Sequence, residues 1–174
     1  MQVAQQKQWL WGPLSPLGVG CALATVVLDQ GFKWWMLAVV RIQDVGHVVV
    51  TPFLNLKYLK NTGISYGLLP LDSQLGQWLW AAFAAVAVVA MAVWLARGVT
   101  EKLVAASLGL IMGGAAGNGI DRLVLGGVAD FIEFHAFGFY WYVFNIADAA
   151  IVAGLCGLLY ESLGLSRNRA AKSP

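Results

Sequence analysis

Four stretches of the 174-residue chain are apolar for about as long as a bilayer is thick, roughly 14–35, 78–95, 103–120 and 141–163. A helix needs ~20 mostly apolar residues to cross ~30 Å of hydrocarbon. In lipid the backbone finds no water, so runs of this kind belong in helices, which satisfy their own N–H and C=O groups. The rest of the composition agrees. Hydrophobic residues make up 59% and charged residues 11%, against ~45–50% and ~25% in soluble domains. So little charge cannot cover a water-exposed surface, which excludes a soluble globular domain and, more strongly, a disordered chain. The net charge is only +2 and its basic residues are scattered, so there is no electrostatic footprint for nucleic acid. Residues 1–174 read as one integral membrane domain, all-α with a small β element.

The first run carries Asp29 and Lys33 near its end, the second has no charge, the third is rich in glycine and alanine, and the fourth holds Asp148 in its first turns and Glu161 late. A cleaved signal peptide, with Lys7 as its basic region and Ala22-Leu23-Ala24 as its cleavage site, is the other reading of the first run. The run stays apolar as far as Val40 and three more follow, so it reads as a retained span. Four spans put both termini on one side. Lys7, Arg97, Lys102, Arg167, Arg169 and Lys172 fall on that side, and Lys33, Arg41, Lys57, Lys60 and Arg122 on the other. Six against five decides little, but the cluster after the last span places the termini in the cytoplasm. Trp34, Trp35, Trp78, Trp80, Trp94 and Trp141 lie near span ends, where interfacial anchors belong.

Two connections do not read as helix. Between about 45 and 70, Val48-Val49-Val50-Thr51 is β-branched and Leu54-Asn55-Leu56-Lys57-Tyr58 alternates with a strand's period. Pro52 and Gly63 punctuate it, so a small β structure is expected at the outer interface. The segment 124–140 reads as an extracytoplasmic loop, glycine-hinged between Gly126 and Gly138, with Phe137, Phe139 and Tyr140 at an aromatic tip suited to gating. The tail from Ser166 is polar and reads as a terminus.

Ionisable residues at membrane depth are costly and mark candidate sites. Asp29 and Lys33 are four apart on one helix and make an ion pair of structural type. Asp121 stands beside Arg122 with Asn118 one turn back, also a structural reading, with Arg122 free to reach elsewhere. Asp130 and Asp148 have no basic residue within four positions. A desolvated carboxylate without a cation resists ionisation, and two brought close share a proton. One then takes a proton from water while the other donates to a carbonyl, which is the chemistry of aspartic peptide hydrolysis. Paired intramembrane acids also serve proton relays, so an aspartic hydrolase and a small proton- or ion-coupled transporter both remain open on chemistry alone; no inverted repeat of broken helices supports the second.

Other chemistries lack a pattern. Ser65 and Ser107 have no His or Lys nearby and no GxSxG occurs. His47 and His135 are isolated, and Cys21 and Cys156 sit in apolar runs without a CxxC, so they read as buried small hydrophobes and no metal or cofactor is expected. Gly109, Gly113 and Gly117 recur every four residues inside a span, the small-xxx-small face of close helix packing.

Leu28-Asp29-Gln30 with Lys33, Asn61-Thr62-Gly63, Gly117-Asn118 with Asp121-Arg122, Val128-Ala129-Asp130-Phe131 and Phe144-Asn145-Ile146-Ala147-Asp148 together resemble the lipoprotein signal peptidase family (signal peptidase II) in order, spacing and frame, from roughly 14 to 163. The resemblance implies an aspartic endopeptidase of the bacterial cytoplasmic membrane. It would remove the signal peptide from diacylglyceryl-modified prolipoproteins, cutting just before the lipid-modified cysteine. It implies four transmembrane helices, an extracytoplasmic β-cradle, cytoplasmic termini, contact with membrane lipid, no metal and inhibition by globomycin. The family's catalytic aspartates fall on Asp130 and Asp148. Its substrate-binding and support positions fall on Asp29, Lys33, Asn61, Gly63, Asn118, Asp121, Arg122 and Asn145. Departures are Ile64-Ser65-Tyr66, Gly119-Ile120 and Ala149-Ala150, none of which removes a chemically required group.

Overall fold

The structure, a computed structural model, describes residues 11–63 and 69–164. Lys7, Ile64-Ser65-Tyr66, Arg167, Arg169, Lys172 and the tail from Ser166 lie outside the described residues. Helix α1 (Ser15–Trp34) starts with a proline in its first turn, where a missing N–H costs nothing. It runs on through a π-helical turn, Trp35–Val39, into one apolar rod. After a short α2 (Ile42–Val45) come strands β1 (His47–Thr51) and β2 (Leu54–Asn61), then α3 (Gln74–Gly98), α4 (Lys102–Val124), β3 (Val128–Ala136), β4 (Phe139–Tyr140) and α5 (Ile146–Ser162). Among the described residues, three helices are long and apolar enough to cross a membrane: Ser15–Val39, Gln74–Gly98 and Lys102–Val124. Helix α5 has 17 residues, a rise of about 25 Å at 1.5 Å per residue.

Helix α4 is the centre of the bundle and packs against α1, α3 and α5. Its glycine stripe is the reason. A Cβ on Gly109 would lie 2.3 Å from the Gly18 carbonyl oxygen, and one on Gly113 would lie 2.6 Å from that of Ala22. On a second face, a Cβ on Gly114 would meet the Ala147 carbonyl at 2.4 Å. These are backbone atoms, so the helices would have to separate. Gly113→Ala is therefore expected to lower stability by about 1–3 kcal/mol. Gly20→Ala, with nothing within 4 Å of the new Cβ, should gain up to ~1 kcal/mol of helix propensity. Thermal unfolding of the two variants in detergent checks the opposite signs.

The four strands form one antiparallel sheet in chain order, with β3 pairing β2 through Leu54↔Phe134, Leu56↔Ile132 and Leu59↔Asp130. Met36, Ile42, Ala129 and Phe131 form a buried cluster that joins the sheet to the end of α1. A second cluster, Leu95, Val99, Ala105, Leu108 and Met112, closes the bundle at the α3–α4 turn.

Three expectations are corrected here. The segment 124–140 is not a loop: nine of its residues form β3, and Phe137-Gly138 makes the tight turn to β4, with φ of 52° and 81°. Two successive positive φ values are what a two-residue hairpin requires, so Gly138 serves a turn. The fourth helix does not begin at Trp141. Phe144 pairs with Ile132 and the helix starts at Ile146, because Asn145 caps it. Finally, Cys156 is exposed on the outer face of α5, while Cys21 is half-buried against Gly109; both thiols are free.

Candidate active site

The site is built where the start of α5 meets β3 and the middle of α4. Asn145 is extended (φ −130°, ψ −178°) and its side-chain oxygen accepts from the Asp148 N–H at 2.9 Å. The Asp148 carboxylate accepts in return from the Asn145 N–H at 3.3 Å. This reciprocal cap satisfies two of the donors that a helix start leaves unpaired. It also fixes Asp148 in the first turn. The Asn145 amide then reaches across and donates to Asp130 Oδ1 at 2.6 Å. One asparagine thus ties both aspartates together, although they come from a strand and a helix.

The other expected residues close around this link. Asn118 donates to Asp148 Oδ1 at 2.8 Å, and its own oxygen accepts from Asn145 at 3.1 Å and from Lys33 at 3.2 Å. Asn61, at the end of β2, donates to Asp130 Oδ2 at 3.3 Å and accepts from the Gly63 N–H at 3.0 Å. Arg122 donates to the carbonyls of Gly63 and Asn118 at 2.8 and 3.0 Å, so it does reach away from Asp121. Lys33 pairs with Asp29 at 2.8 Å and with Asp121 at 2.7 Å. Asp29 in turn accepts from the Ala147 N–H at 3.0 Å, and Asp121 from the Ala129 N–H at 3.1 Å. All ten residues are brought into one network.

Sequence reasoning missed Gln30, whose amide bonds Asp29, the Gly117 carbonyl and Asp121. Its place in the Leu28-Asp29-Gln30 block was the signal that could have found it.

The electrostatics follow from this wiring. The network holds four carboxylates, Asp29, Asp121, Asp130 and Asp148, and two cations. Lys33 is spent on Asp29 and Asp121, and Arg122 on carbonyls. Among the described residues no salt bridge reaches Asp130 or Asp148. Asp130 is 1% exposed. Burial, and then the neighbouring Asp148 charge, push its carboxyl up to about 7, against the hydrogen bonds from Asn61 and Asn145. Desolvation outweighs these hydrogen bonds and the Lys33 charge, because no cation pairs directly with the carboxylate.

Asp148 borders two cavities. One of about 920 Å³ is walled by Phe134, Phe139, Trp141, Tyr142, Phe144 and Val152. One of about 190 Å³ lies between α3, α4 and α5. Tyr142 lines both. Among the described residues no three His, Cys, Asp or Glu side chains are grouped as metal ligands.

Apolar helices, a small sheet and a buried polar network holding two carboxylates without a salt bridge describe a membrane protein with a candidate acid–base site. Comparison with known proteins gives the class its family. The model of the family described as Signal peptidase (SPase) II matches residues 21–164. A lipoprotein signal peptidase of Rhodopseudomonas palustris is 51% identical over 163 residues, covering 91% of this chain and 97% of its own. One of Nitrobacter hamburgensis is 47% identical, covering 92% and 100%. A solved structure described as a bacterial membrane enzyme superposes with a TM-score of 0.70 at 25% identity, covering 90% of this chain and 97% of that one. The chain belongs to the signal peptidase II family. It is a membrane aspartic peptidase of lipoprotein processing, and the transporter reading of the paired acids is not favoured. The family and the three apolar helices make it a bacterial inner-membrane protein.

Proposed function

We propose that Asp130 and Asp148 are the catalytic pair and that the pair works with one proton between them. The observation that carries this is Asn145, whose side-chain amide donates to Asp130 and whose backbone N–H donates to Asp148, two carboxylates that no salt bridge reaches among the described residues. The ionised member takes a proton from water, and the water oxygen attacks the scissile carbonyl. The protonated member gives its proton to the carbonyl oxygen as charge develops there and recovers it when the tetrahedral intermediate collapses, while the first member passes the proton it took from water to the leaving amine. Asn61, Asn118 and Asn145 hold the two carboxyl groups in place. Asp29, Lys33, Asp121, Arg122 and Gly63 hold the helices and strand that carry them.

The substrate is a prolipoprotein already carrying diacylglycerol, cut just before the modified cysteine. Its lipid chains fit the aromatic cavity of about 920 Å³, which opens beside Asp148. Helix α5 is the fourth span, its short length extended by the aromatic residues ahead of it. The sheet is the extracytoplasmic cradle, both termini are cytoplasmic and the pair lies near the outer face. Substrate then arrives laterally from the bilayer, and globomycin occupies the same place. A precursor peptide incubated with the purified protein in detergent tests the reading. Mass spectrometry should find a product starting at the lipid-modified cysteine, and no cut of the unmodified precursor. No cleavage, or equal cleavage of both precursors, would contradict it.

A further inference from the structure

Three cavities share Tyr142 in their walls. Two are the aromatic cavity and the cavity of about 190 Å³, both bordered by Asp148. The third, of about 400 Å³, is a groove on the sheet walled by Lys57, Lys60, Asn61, Glu133 and Trp141. Asn61 also lines the cavity of about 190 Å³ and donates to Asp130. A single side chain therefore links this groove to the acid pair.

The charges of the groove are unevenly matched. Glu133 is 6% exposed and accepts from Asn55 at 3.2 Å and from Lys57. Lys57 and Glu133 neutralise each other. Among the described residues no salt bridge reaches Lys60, which is exposed. The Lys60 stem is nonetheless placed, because it lies against the glycines that lead into β3. A Cβ on Gly127 would stand 2.9 Å from Lys60 Cε and 3.0 Å from Cγ. The groove thus carries one surplus positive charge, open to a ligand.

A lipid-modified precursor has three parts to place. The segment removed is apolar, as are the lipid chains, and neither gains from a charged ammonium, which would lose its water to them. The chain after the cysteine is the part that must leave the bilayer for water. The groove belongs to the sheet, whose strands lie outside the three helices long and apolar enough to cross a membrane. Its polarity and its place beside Asp130 suit that third part.

We propose that this groove receives the first residues after the lipid-modified cysteine and that Lys60 favours an aspartate or glutamate side chain among them. This rests on the peptidase reading above and adds to it a specificity residue outside the family's motif positions. Lys60 acts on binding and takes no part in proton transfer.

The test uses lipid-modified precursors with Asp, Asn or Lys at the first, second or third position after the cysteine, and a control set changed at the tenth. At one near position or more, wild type should cut the Asp form about three- to five-fold better in kcat/KM than the Lys form, the worth of one exposed ion pair. Lys60→Gln should bring that ratio to about one, and Lys60→Glu should invert it. The ratio compares two precursors on one enzyme, so a loss of folded protein does not move it. Salt at about 1 M should shrink it, since the screening length falls to ~3 Å. No preference at any near position, a ratio unchanged in Lys60→Gln, or an equal preference at the tenth position each overturn the proposal. So does a loss in Lys60→Gln that is equal for every precursor, which would place Lys60 in the fold or against lipid headgroups. If wild type cuts no modified precursor at all, the peptidase reading fails instead.

Discussion

Asp130→Asn and Asp148→Asn are each expected to lower the cleavage rate of a lipid-modified precursor by at least about 10³-fold, while the protein stays folded. A positioned acid or base contributes roughly 10²–10⁴-fold, and losing one member of a pair that shares a proton disables both roles. The amide keeps the shape and can still meet Asn61 or Asn145, but it cannot take a proton from water. Turnover by purified variants measures the loss; wild-type rates in either would remove the pair from the chemistry.

Thermal stability adds a check on Asp130. Its folded carboxyl sits at about 7, above the ordinary 3.8. Between those values the folded state binds more protons than the unfolded one, so stability is lost as pH rises through that window. Asparagine does not titrate. The melting temperature of Asp130→Asn relative to wild type should therefore shift in the variant's favour between pH 5 and pH 8.

Lys33→Ala should be the most damaging change to the fold, costing about 3–5 kcal/mol as expected for a buried ion network stripped of its cation. Lys33 is 3% exposed and lies between Asp29 and Asp121, which are 0% and 2% exposed. Removing it leaves two buried carboxylates facing each other. Asp29→Ala should cost less, because Lys33 keeps Asp121. The double change, Asp29→Ala with Lys33→Ala, should recover part of the Lys33→Ala loss. Full recovery is not expected, since Asp121 stays unpaired and the Ala147 N–H loses its acceptor. Thermal unfolding in detergent ranks the three, and a Lys33→Ala variant melting like wild type would contradict the network.

What was legible in the residues was local. The four-residue spacing of Asp29 and Lys33 specified their contact, and the glycine repeat of α4 marked a face for close helix packing. The alternation around Leu54–Tyr58 gave β2. Strand β3 was missed because Val128-Ala129-Asp130-Phe131 is buried throughout. A strand covered on both faces loses its alternation. The start of α5 was misplaced because Trp141-Tyr142-Val143 is as apolar as the helix that follows. The capping pattern Asn145-x-x-Asp148 was present and marks the true start. The convergence of ten residues, nine polar and one glycine, was not legible from spacing. Lys33 and Asn118 are 85 positions apart and Asn61 and Asp130 69 apart, and only the family resemblance joined them.

The pH dependence of kcat/KM on a lipid-modified precursor tests the central claim, one proton shared by two carboxylates, most directly. This quantity reports groups of the free enzyme. The rate should fall on an alkaline limb with an apparent pKa of about 7, where the Asp130 carboxyl loses its proton. It should fall again in acid, where the second carboxylate gains one, both limbs belonging to the pair. His47→Ala and His135→Ala should keep both limbs in place. A profile flat from pH 5 to 9, or an alkaline limb that persists while either histidine variant loses activity as severely as Asp130→Asn, would contradict the two-carboxylate mechanism.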